Sequence, residues 1–179
     1  MLEIIPLEEE LWKGYILTFH YISYNYFDVR IELSEIGFNF QFVKTPFDKP
    51  YEKNPDTSDS LFKAHWEDVK AWGIVDNGRL VAAIETSVEA WNNRLRVTEL
   101  WVDDNYRRQK IGTRLMDLAV KRARGENRRA VILETQTCNE NAIAFYINYG
   151  FKPIGFDLCA YSNRDIERKE SRLEMGLYL

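Results

Sequence analysis

Cysteine and histidine are scarce in this sequence, which contains two of each: Cys138, Cys159, His20 and His65. Two cysteines are too few for a disulfide framework, so a small disulfide-stabilised secreted domain is excluded. The same four side chains make a poor set of ligands for zinc or another transition metal. We therefore expect neither a disulfide scaffold nor a metal centre.

Long apolar runs are also missing. No segment approaches the ~20 apolar residues of a membrane-spanning helix. The first ten residues, MLEIIPLEEE, are acidic and lack the basic start and apolar stretch of a secretion signal. The sequence therefore predicts a cytoplasmic protein with no membrane partner. A length of 179 residues, 45% of them hydrophobic, favours a single domain over residues 1–179.

Positive charge is concentrated in one short segment. Residues 106–129 contain nine Lys or Arg against Asp117 and Glu126, a net charge of +7, whereas the whole chain carries −4 and the remainder therefore −11. A solvated helix face is one interpretation of such a run, and an anion site is the other. Nucleic acid is not an expected partner, because the pI is about 5.4 and no aromatic-rich binding sheet accompanies the segment.

The residues just before this segment favour the anion site. Residues 99–112 read ELWVDDNYRRQKIG, a strand-like alternation followed by a polar, arginine-rich turn. Apolar residues then recur at helical spacing, which predicts an amphipathic helix over residues 111–124. The unpaired N–H groups and the positive dipole end of a helix's first turn point back into such a loop. A phosphate group would bind there.

The N-terminal third gives weaker signals. Residues 7–19 are predicted to be helical, with Leu11, Tyr15 and Phe19 on one face. Residues 20–63 are aromatic-rich but are interrupted by one glycine and three prolines, and they end in the polar run NPDTSDS. We expect short pieces and a surface loop there.

Regular structure is predicted from residue 69 onward. Val69–Val75 and Arg79–Val88 flank Asp76-Asn77-Gly78, and Asn-Gly readily adopts the positive φ values of a tight hairpin turn. A second reversal at Trp91-Asn92-Asn93 leads into the strand Arg94–Val102. Three antiparallel strands therefore precede the basic loop and the helix.

The C-terminal part adds strands and one more helix. Residues 130–136 form a buried strand, and Asn139 caps a helix that runs to Tyr149 and stops at Gly150. Phe151–Tyr161 and Leu173–Leu179 are the last two strands. The order βββ-α-β-α-ββ predicts a mixed α/β (α+β) fold, a mostly antiparallel sheet flanked by helices.

Two motifs resemble the acetyl-CoA signatures of the GNAT superfamily of N-acetyltransferases. They are Leu100-x-Val102 with Tyr106-Arg107-x-x-x-Ile111-Gly112, and Asn139-Glu140-x-Ala142-x-x-Phe145-Tyr146-x-x-x-Gly150-Phe151. Within the superfamily the chain is similar to the streptothricin acetyltransferases, through Phe27-Asp28-Val29, Glu85, Trp91-Asn92, Leu133-Glu134-Thr135-Gln136-Thr137 and Asp157-Leu158. The resemblance implies the GNAT acyl-CoA N-acyltransferase fold, with residues 1–63 as a variable acceptor-side lid and residues 64–179 as the acetyl-CoA-binding core.

The resemblance also implies where acetyl-CoA, the acetyl-donor cosubstrate, binds. The strand at Leu100–Val102 parts from the strand at Leu133–Gln136 and pairs with the pantetheine arm, which Asn139 also reaches, while the amides of Arg107–Thr113 hold the pyrophosphate. The implied cofactor-binding residues are Leu100, Trp101, Val102, Arg107, Arg108, Gln109, Lys110, Ile111, Gly112, Thr113 and Asn139.

Lys110 departs from the family pattern, which usually has glycine at this position of the turn. A lysine in left-handed geometry costs about 1 kcal/mol. We therefore expect Lys110 to keep right-handed helical φ and ψ, with its ammonium adding attraction for a phosphate.

Amide formation requires a proton acceptor and a proton donor. An amine is protonated at neutral pH and must lose a proton before it attacks the thioester. Glu99 is the predicted base, with Glu85 and Asp157 as alternates. The resemblance implies that Tyr146 protonates the leaving sulfur, and a backbone N–H near Val102 would stabilise the oxyanion. An acyl-enzyme on Cys138 is a lesser alternative, because no histidine is near it in sequence.

The acceptor is expected to be a small cationic amine. The chain outside the basic segment is strongly acidic, and carboxylates attract cations. The predicted substrate-binding residues are Glu85, Trp91, Glu134, Asp157 and Tyr161, the two aromatic rings through cation–π contacts. By resemblance the acceptor is the β-lysyl amine of streptothricin, an antibiotic-resistance function. A protein or peptide acetyltransferase and a non-catalytic CoA-binding module are the alternatives. The oligomeric state stays open, a homodimer included.

Overall fold

The computed structural model describes residues 2–53 and 58–179. These residues form two compact units. The first unit contains residues 2–20, 58–133 and 176–179, and the second contains residues 21–53 and 134–175. The predicted division at residue 63 into an acceptor-side lid and a cofactor-binding core stays a prediction.

The chain contains eleven strands among the described residues. Their bounds are β1 Ile5–Leu7, β2 Ile16–Thr18, β3 Tyr21–Ser34, β4 Gly37–Lys53, β5 Ser58–Ser60, β6 Lys70–Asp76, β7 Arg79–Glu89, β8 Arg94–Val102, β9 Ala130–Gln136, β10 Lys152–Asp157 and β11 Arg172–Tyr178. The helices are α1 Glu9–Trp12, α2 Ile111–Gly125, α3 Glu140–Tyr149 and α4 Asp165–Arg168. The described part of the chain has no helix that is both long and apolar enough to cross a membrane.

Seven strands form one mixed sheet, in the order β1-β6-β7-β8-β9-β11-β10. The pairs β1–β6, β6–β7 and β7–β8 are antiparallel, and β8–β9 is parallel. The remaining strands form two-stranded pairs, β2 with β5 and β3 with β4. The prediction of a mostly antiparallel mixed sheet with helices is therefore confirmed.

The hairpin of β6 and β7 forms where the sequence predicted it. Asn77 and Gly78 have φ values of 49° and 78°, the left-handed pair that a two-residue reversal requires. At the other end of β7, Asn93 is left-handed at φ 56° and turns the chain into β8. Both reversals are encoded locally, so the pattern of residues was sufficient to place them.

The core of the first unit has two apolar parts. Helix α2 packs on β7 and β8 through the buried face of Ile111, Leu115, Met116 and Ala119. Burying a side chain of the size of leucine or methionine contributes about 1.5–3 kcal/mol. A separate cluster joins the N-terminal elements to β7, through Leu7, Leu17, Leu61, Phe62, Ala71, Leu80 and Ala83.

One charge of the basic segment is buried in this unit. Only 4% of the Arg122 side chain is exposed, and its guanidinium donates to Asp68 Oδ2 at 2.7 Å and to Glu126 Oε1 at 2.8 Å. It also donates to the backbone oxygen of Thr86 at 3.1 Å. Arg122 therefore holds α2 to the sheet and is not part of an exposed anion-binding surface.

Replacing Arg122 by alanine is expected to lower the free energy of unfolding by about 2 kcal/mol, because the buried Thr86 carbonyl and the partly buried Glu126 carboxylate lose their donor. The exposed neighbour Arg124 provides the control, since its replacement by alanine should change stability by less than about 0.5 kcal/mol. Urea denaturation measures both. Equal effects of the two variants would contradict a structural role for Arg122.

The predicted helix over residues 7–19 is wrong. One helical turn, α1, lies between two short strands, and Leu11 is 79% exposed. Gly14 interrupts the helix with φ 78°, and its N–H donates to Leu61 O at 3.0 Å. The chain then pairs with β5 from Ile16 onward. A nonlocal partner, which the sequence pattern does not reveal, overrides the local helical spacing.

The second unit contains a long two-stranded ribbon, β3–β4, where short pieces were predicted. Residues 54–57 of the expected surface loop lie outside the described residues. Pro46 and Pro50 do not interrupt β4, because they lie at the bulge where residues 47–50 are left out of the register, and proline is tolerated at bulges. Glu140, at the start of α3, holds the ribbon at its bulge and accepts from the N–H groups of Tyr24 and Asn25 at 2.7 and 2.9 Å.

The last elements largely agree with the sequence. Asn139 caps α3 by accepting from the Ala142 N–H at 3.1 Å, and Gly150 ends the helix at φ 115°, as predicted. The strand predicted to reach Tyr161 ends at Asp157, because the Asp157 side chain accepts from the Cys159 N–H and turns the chain. A short helix, α4, follows that the sequence did not indicate.

Candidate functional site

The loop between β8 and α2 is held in place by side chains of the first unit. The Tyr106 hydroxyl donates to Asp76 Oδ2 at 2.6 Å, and Asp103 forms an ion pair with Arg79. Arg107 donates to the backbone oxygen of His20 at 2.8 Å and pairs with Asp104 at 2.7 Å. The guanidinium of Arg107 therefore organises the loop, while Arg108 stays exposed.

The first turn of α2 presents its backbone amides to this loop. The first helical hydrogen bond runs from the Arg114 N–H to Lys110 O at 3.1 Å. A helix leaves the N–H groups before that bond without intrahelical acceptors, and here they belong to Ile111, Gly112 and Thr113. With the helix dipole and the nearby cations, this arrangement fits an anionic group.

Lys110 does not keep right-handed geometry, and that expectation was wrong. Its φ is 59° and its ψ is 15°, the left-handed conformation that the usual glycine would adopt, and Arg108 is also left-handed at φ 61°. The chain must reverse here so that α2 can run back along the sheet, and the exposed Lys110 side chain meets no obstacle in solvent. The strain of about 1 kcal/mol is therefore tolerated.

A Lys110→Gly variant is expected to keep the loop and lose one cation. The KM for acetyl-CoA should rise about threefold at low ionic strength, the equivalent of an exposed ion pair of roughly 0.6 kcal/mol. The increase should vanish at high salt, where screening is strong. Lys121→Ala, with the same charge change on the exposed side of α2, is the control. An unchanged KM for Lys110→Gly at low salt would refute a contribution from the side chain.

The strand β8 parts from β9 before it reaches the loop. Their parallel register joins Arg94–Arg96 to Ala130–Ile132 and ends there. On its other side β8 stays paired with β7 up to Val102, opposite Ala82. At Leu100, Trp101 and Val102, the edge of β8 that faces away from β7 is therefore beyond the last residue pair of the β8–β9 register. The indole of Trp101 is anchored separately and donates to Thr18 O at 2.9 Å.

A cluster of carboxyl groups lies beside the end of β8. Glu85 and Glu99 are direct partners in the register of β7 and β8, so both side chains are on one face of the sheet. Glu85 is fully buried and accepts from the Phe62 N–H at 2.5 Å and from the Thr98 hydroxyl at 2.8 Å. Glu99 is 8% exposed. The register shifts at Thr98, just before Glu99, and such bulges frequently occur next to active sites.

Asp59 and Lys63 complete this cluster. Strand β5 places Asp59 opposite Leu17 of β2, and the Asp59 carboxylate is paired with the Lys63 ammonium. Burial is the largest influence on Glu99 and raises its pKa to about 9. Charge repulsion and a hydrogen bond from Asp59 also raise this pKa, whereas Lys63 lowers it. With its pKa at about 9, Glu99 in the resting protein is protonated at neutral pH.

A cavity of about 400 Å³ opens next to the carboxyl cluster. Phe62 and Lys63, which contact Glu85 and Asp59, line it together with Trp66 and Glu9. Its volume lies in the range of small-molecule sites. The described residues of the first unit therefore provide buried acid groups beside a space of the size of a small ligand.

In the second unit, α3 positions Asn139 and Tyr146. Tyr146 is 9% exposed, and its ring packs edge-on against Phe145 and Phe151 at centroid distances of 5.4 and 5.9 Å. The Phe151 N–H donates to Tyr146 O at 2.9 Å. The ring of Tyr146 is therefore fixed by its packing within the second unit.

Three of the predicted substrate-binding residues come together in this unit around Arg172. The Arg172 guanidinium lies 3.4 Å from Asp157 and 3.9 Å from Glu134, and the Tyr161 hydroxyl donates to Glu134 at 3.2 Å. Burial, followed by the charge of Glu134, raises the pKa of Tyr161, so its hydroxyl remains a donor. Glu174 adds a third carboxylate 4.0 Å from Arg172. The group is therefore net negative, as a cationic partner requires.

Trp91 belongs neither to the carboxyl cluster at Glu85 and Glu99 nor to the group of side chains around Arg172. It is 85% exposed in the turn before β8, with the Arg94 guanidinium 5.9 Å from its ring centre. This turn is at the opposite end of β8 from Val102. The position of Trp91 therefore does not support the predicted contact with the acceptor.

Comparison with known proteins identifies the family to which this chain belongs. The profile described as the Acetyltransferase (GNAT) family matches residues 39–151. Over 136 residues the chain is 32% identical to the streptothricin acetyltransferase of Streptomyces lavendulae, covering 73% of this chain and 72% of that protein. The chain belongs to the GNAT acetyltransferase family. It is an N-acetyltransferase, as the resemblance implied.

Solved GNAT structures share the fold along the whole chain. Nourseothricin acetyltransferase superposes with a TM-score of 0.74 at 23% identity, over 98% of this chain and 97% of the other. A protein of Bacillus anthracis strain Ames, solved in complex with acetyl coenzyme A, superposes with a TM-score of 0.72 at 23% identity, over 100% and 98% of the two chains. The predicted GNAT fold is therefore confirmed.

Cys138 is poorly suited to carry an acetyl group in this GNAT protein. The side chain is fully buried and lies 3.5 Å from the Tyr21 hydroxyl. Burial raises the pKa of the thiol, which disfavours the thiolate that would attack a thioester.

Within residues 2–53 and 58–179, no three His, Cys, Asp or Glu side chains are grouped so that they could hold a metal ion.

Sequence reasoning missed Asp59, Lys63 and Arg172. Asp59 and Lys63 lie in or next to a polar run that was interpreted as a surface loop, although Ser58–Ser60 is strand β5. Three residues with no apolar alternation give no strand signal. An arginine one residue before a predicted strand suggested nothing by itself, and only the fold shows that Arg172 lies among three carboxylates.

Proposed function

We propose that this GNAT protein acetylates a primary amine of a small cationic molecule, the β-lysyl amine of streptothricin in particular. The carboxyl cluster of buried Glu85 and Glu99 with half-buried Asp59 is the observation that carries the proposal, because an amine must be held as a cation and then deprotonated. The similarity to the streptothricin acetyltransferase of Streptomyces lavendulae supports this acceptor over other amines. The chain would then confer antibiotic resistance.

The donor fits the described residues of the loop and of β8. The first-turn amides of Ile111, Gly112 and Thr113, with the exposed cations of Arg108 and Lys110, would hold the pyrophosphate. The backbone of Leu100–Val102 and the side chain of Asn139 would hold the pantetheine arm. Acetyl-CoA supplies the thioester acetyl group, and the chain supplies positioning and proton transfer.

Glu99 is the proposed base. An acceptor ammonium that binds beside the carboxyl cluster lowers the pKa of Glu99, because an opposite charge favours the ionised form. Glu99, ionised in that complex, accepts the proton of the ammonium directly or through water and leaves a nucleophilic amine. Glu85 is proposed to support the cluster and not to accept the proton, since both of its oxygens already accept hydrogen bonds.

Tyr146 is the proposed acid, and a backbone N–H near Val102 is the proposed oxyanion donor. A neutral tyrosine hydroxyl can give its proton to the departing thiolate, whose conjugate acid has a similar pKa. A backbone donor is already oriented and needs no reorganisation during the reaction. Glu134, Asp157 and Tyr161 are proposed to attract and orient the cationic part of the acceptor.

Free-thiol release from acetyl-CoA tests the acceptor class. We expect rapid release with streptothricin and release at least about 100-fold slower, by kcat/KM, with lysine peptides, aminoglycosides and polyamines. A preference for lysine peptides would indicate a protein acetyltransferase. Coenzyme binding without turnover on any of these amines would refute a small cationic acceptor.

A further inference from the structure

Lys63 lies in a strained turn that follows strand β5. Phe62, the residue before it, has a φ of 58°, a left-handed conformation that is unusual for a bulky aromatic residue. The Phe62 N–H donates to Glu85 Oε2 at 2.5 Å, and the Trp66 N–H donates to Lys63 O at 3.1 Å. Backbone strain of this kind clusters at active sites and ligand clamps. The turn therefore fixes Lys63 next to a residue that contacts the carboxyl cluster.

The ammonium of Lys63 supplies positive charge to this cluster. It forms an ion pair with Asp59. Burial raises the pKa of Glu85 and of Glu99, and the charge of Lys63 opposes that rise in both. A nearby opposite charge has this effect because it favours the ionised carboxylate. The Lys63 ammonium therefore lies close enough to interact with all three carboxyl groups.

The side chain of Lys63 also lines the cavity of about 400 Å³ beside the cluster. It is 31% exposed, so its ion pair with Asp59 is formed at the protein surface and not in the interior. Partly exposed ion pairs are weak, and a lysine carries a strongly hydrated ammonium on a flexible stem. The Lys63 ammonium can therefore leave Asp59 and move into solvent without a change in the fold.

The acceptor amine needs the place that Lys63 occupies. In the proposed function the acceptor is held as a cation beside these carboxyl groups until Glu99 takes its proton. Two ammonium groups that share one site repel each other, and Asp59 offers one negative charge to both. The acceptor therefore binds productively only after the Lys63 ammonium has moved away.

We propose that Lys63 is an internal competitor of the acceptor: its ammonium occupies the cation position of the carboxyl cluster in the resting protein and moves into solvent when the acceptor ammonium binds. This inference rests on the proposed function, because it takes the carboxyl cluster as the place where the acceptor amine is held. The apparent affinity for the acceptor is lowered, since only the fraction of the protein with a displaced Lys63 can bind it. Lys63 thus selects for amines that bind the cluster more strongly than a single lysine does.

Calorimetric titration with streptothricin tests this competition. All proteins compared carry Glu99→Gln and are saturated with coenzyme A, so that neither turnover nor the titration of Glu99 enters the measurement. Lys63→Met removes the charge and keeps most of the side-chain length. It should lower the dissociation constant for streptothricin about fivefold, the factor expected when Lys63 is paired in about 80% of the resting protein. Lys63→Arg keeps the charge and should keep the original dissociation constant within about twofold.

The matched control is Lys70→Met, which removes the same charge from another ion pair of the first unit. Lys70 pairs with Glu126 at 3.2 Å and not with the carboxyl cluster. Its replacement should leave the dissociation constant for streptothricin unchanged. Equal effects of Lys70→Met and Lys63→Met would assign the gain to net charge and would overturn the proposal. An unchanged or higher dissociation constant in Lys63→Met would also overturn it, as would streptothricin that binds to neither protein.

This inference and the proposed function can fail separately. The mass of the product formed by the wild type shows whether streptothricin is acetylated, and the titration shows whether Lys63 competes with it. Acetylated streptothricin with no gain in affinity from Lys63→Met would reject the competition and retain the function. Unmodified streptothricin that binds about fivefold more tightly to Lys63→Met would retain the competition and reject the function.

Discussion

Replacing Tyr146 by phenylalanine is expected to lower kcat at least tenfold at saturating acetyl-CoA. The variant keeps the ring that packs against Phe145 and Phe151 and removes only the hydroxyl. General acid catalysis contributes about 10²–10⁴-fold, and water can replace part of it. Because the proton is needed only as the sulfur departs, the KM for acetyl-CoA should change little. Steady-state kinetics separate the two quantities.

The control for this variant is Tyr149→Phe, which removes a hydroxyl from the same helix three residues later. We expect it to keep the wild-type kcat. A second readout is the leaving group: an acetyl thioester of a more acidic thiol needs less protonation and should recover much of the rate lost in Tyr146→Phe. Retention of the wild-type kcat by Tyr146→Phe would remove this residue from the mechanism.

Replacing Glu99 by glutamine is expected to lower kcat/KM about 100-fold at pH 9, because the base is lost and the amide keeps the shape of the side chain. The ionisation of Glu99 should also be visible in the pH dependence of the wild-type kcat/KM. The folded protein holds the pKa of Glu99 at about 9, so the ionised base increases as the pH rises toward 9 and reaches a plateau above it. The wild-type kcat/KM should follow that rise, which Glu99→Gln should lose.

Asp59→Asn separates this rise from the titration of the acceptor amine. Asp59 raises the pKa of Glu99 through its charge and its hydrogen bond, so the variant should move the rise in kcat/KM to lower pH. The pKa of the free amine is the same in both experiments. A profile that is identical in the wild type, Glu99→Gln and Asp59→Asn would assign the rise to the amine and would exclude Glu99 as the base.

The elements that the sequence predicted correctly are encoded by neighbouring residues. Asn77-Gly78 specifies a hairpin turn, and Asn139 with Gly150 specifies both ends of α3. Helix α2 follows from one apolar stripe. In each case the hydrogen bonds or the buried face belong to residues within a few turns of the signal.

The elements that it missed depend on distant partners. The β3–β4 ribbon pairs Ser34 with Gly37 at its turn, but its other end pairs Tyr21 with Lys53, and β2 pairs with β5 at separations of forty residues or more. Local spacing in residues 7–19 favoured a helix that this pairing overrides. The same separation hid part of the site, because Asp59 approaches Glu99 only after β5 has joined β2. The geometry of Lys110 was missed for another reason, since the fold overrides a local conformational preference of about 1 kcal/mol.

The product of the reaction with streptothricin tests the central claim most directly. Purified protein, acetyl-CoA and streptothricin should give streptothricin heavier by one acetyl group, and fragmentation in the mass spectrometer should place that group on the β-lysyl amine. One free coenzyme thiol should appear for each acetylated molecule. Streptothricin recovered unmodified, under conditions in which the protein acetylates a lysine peptide, would contradict the proposed function.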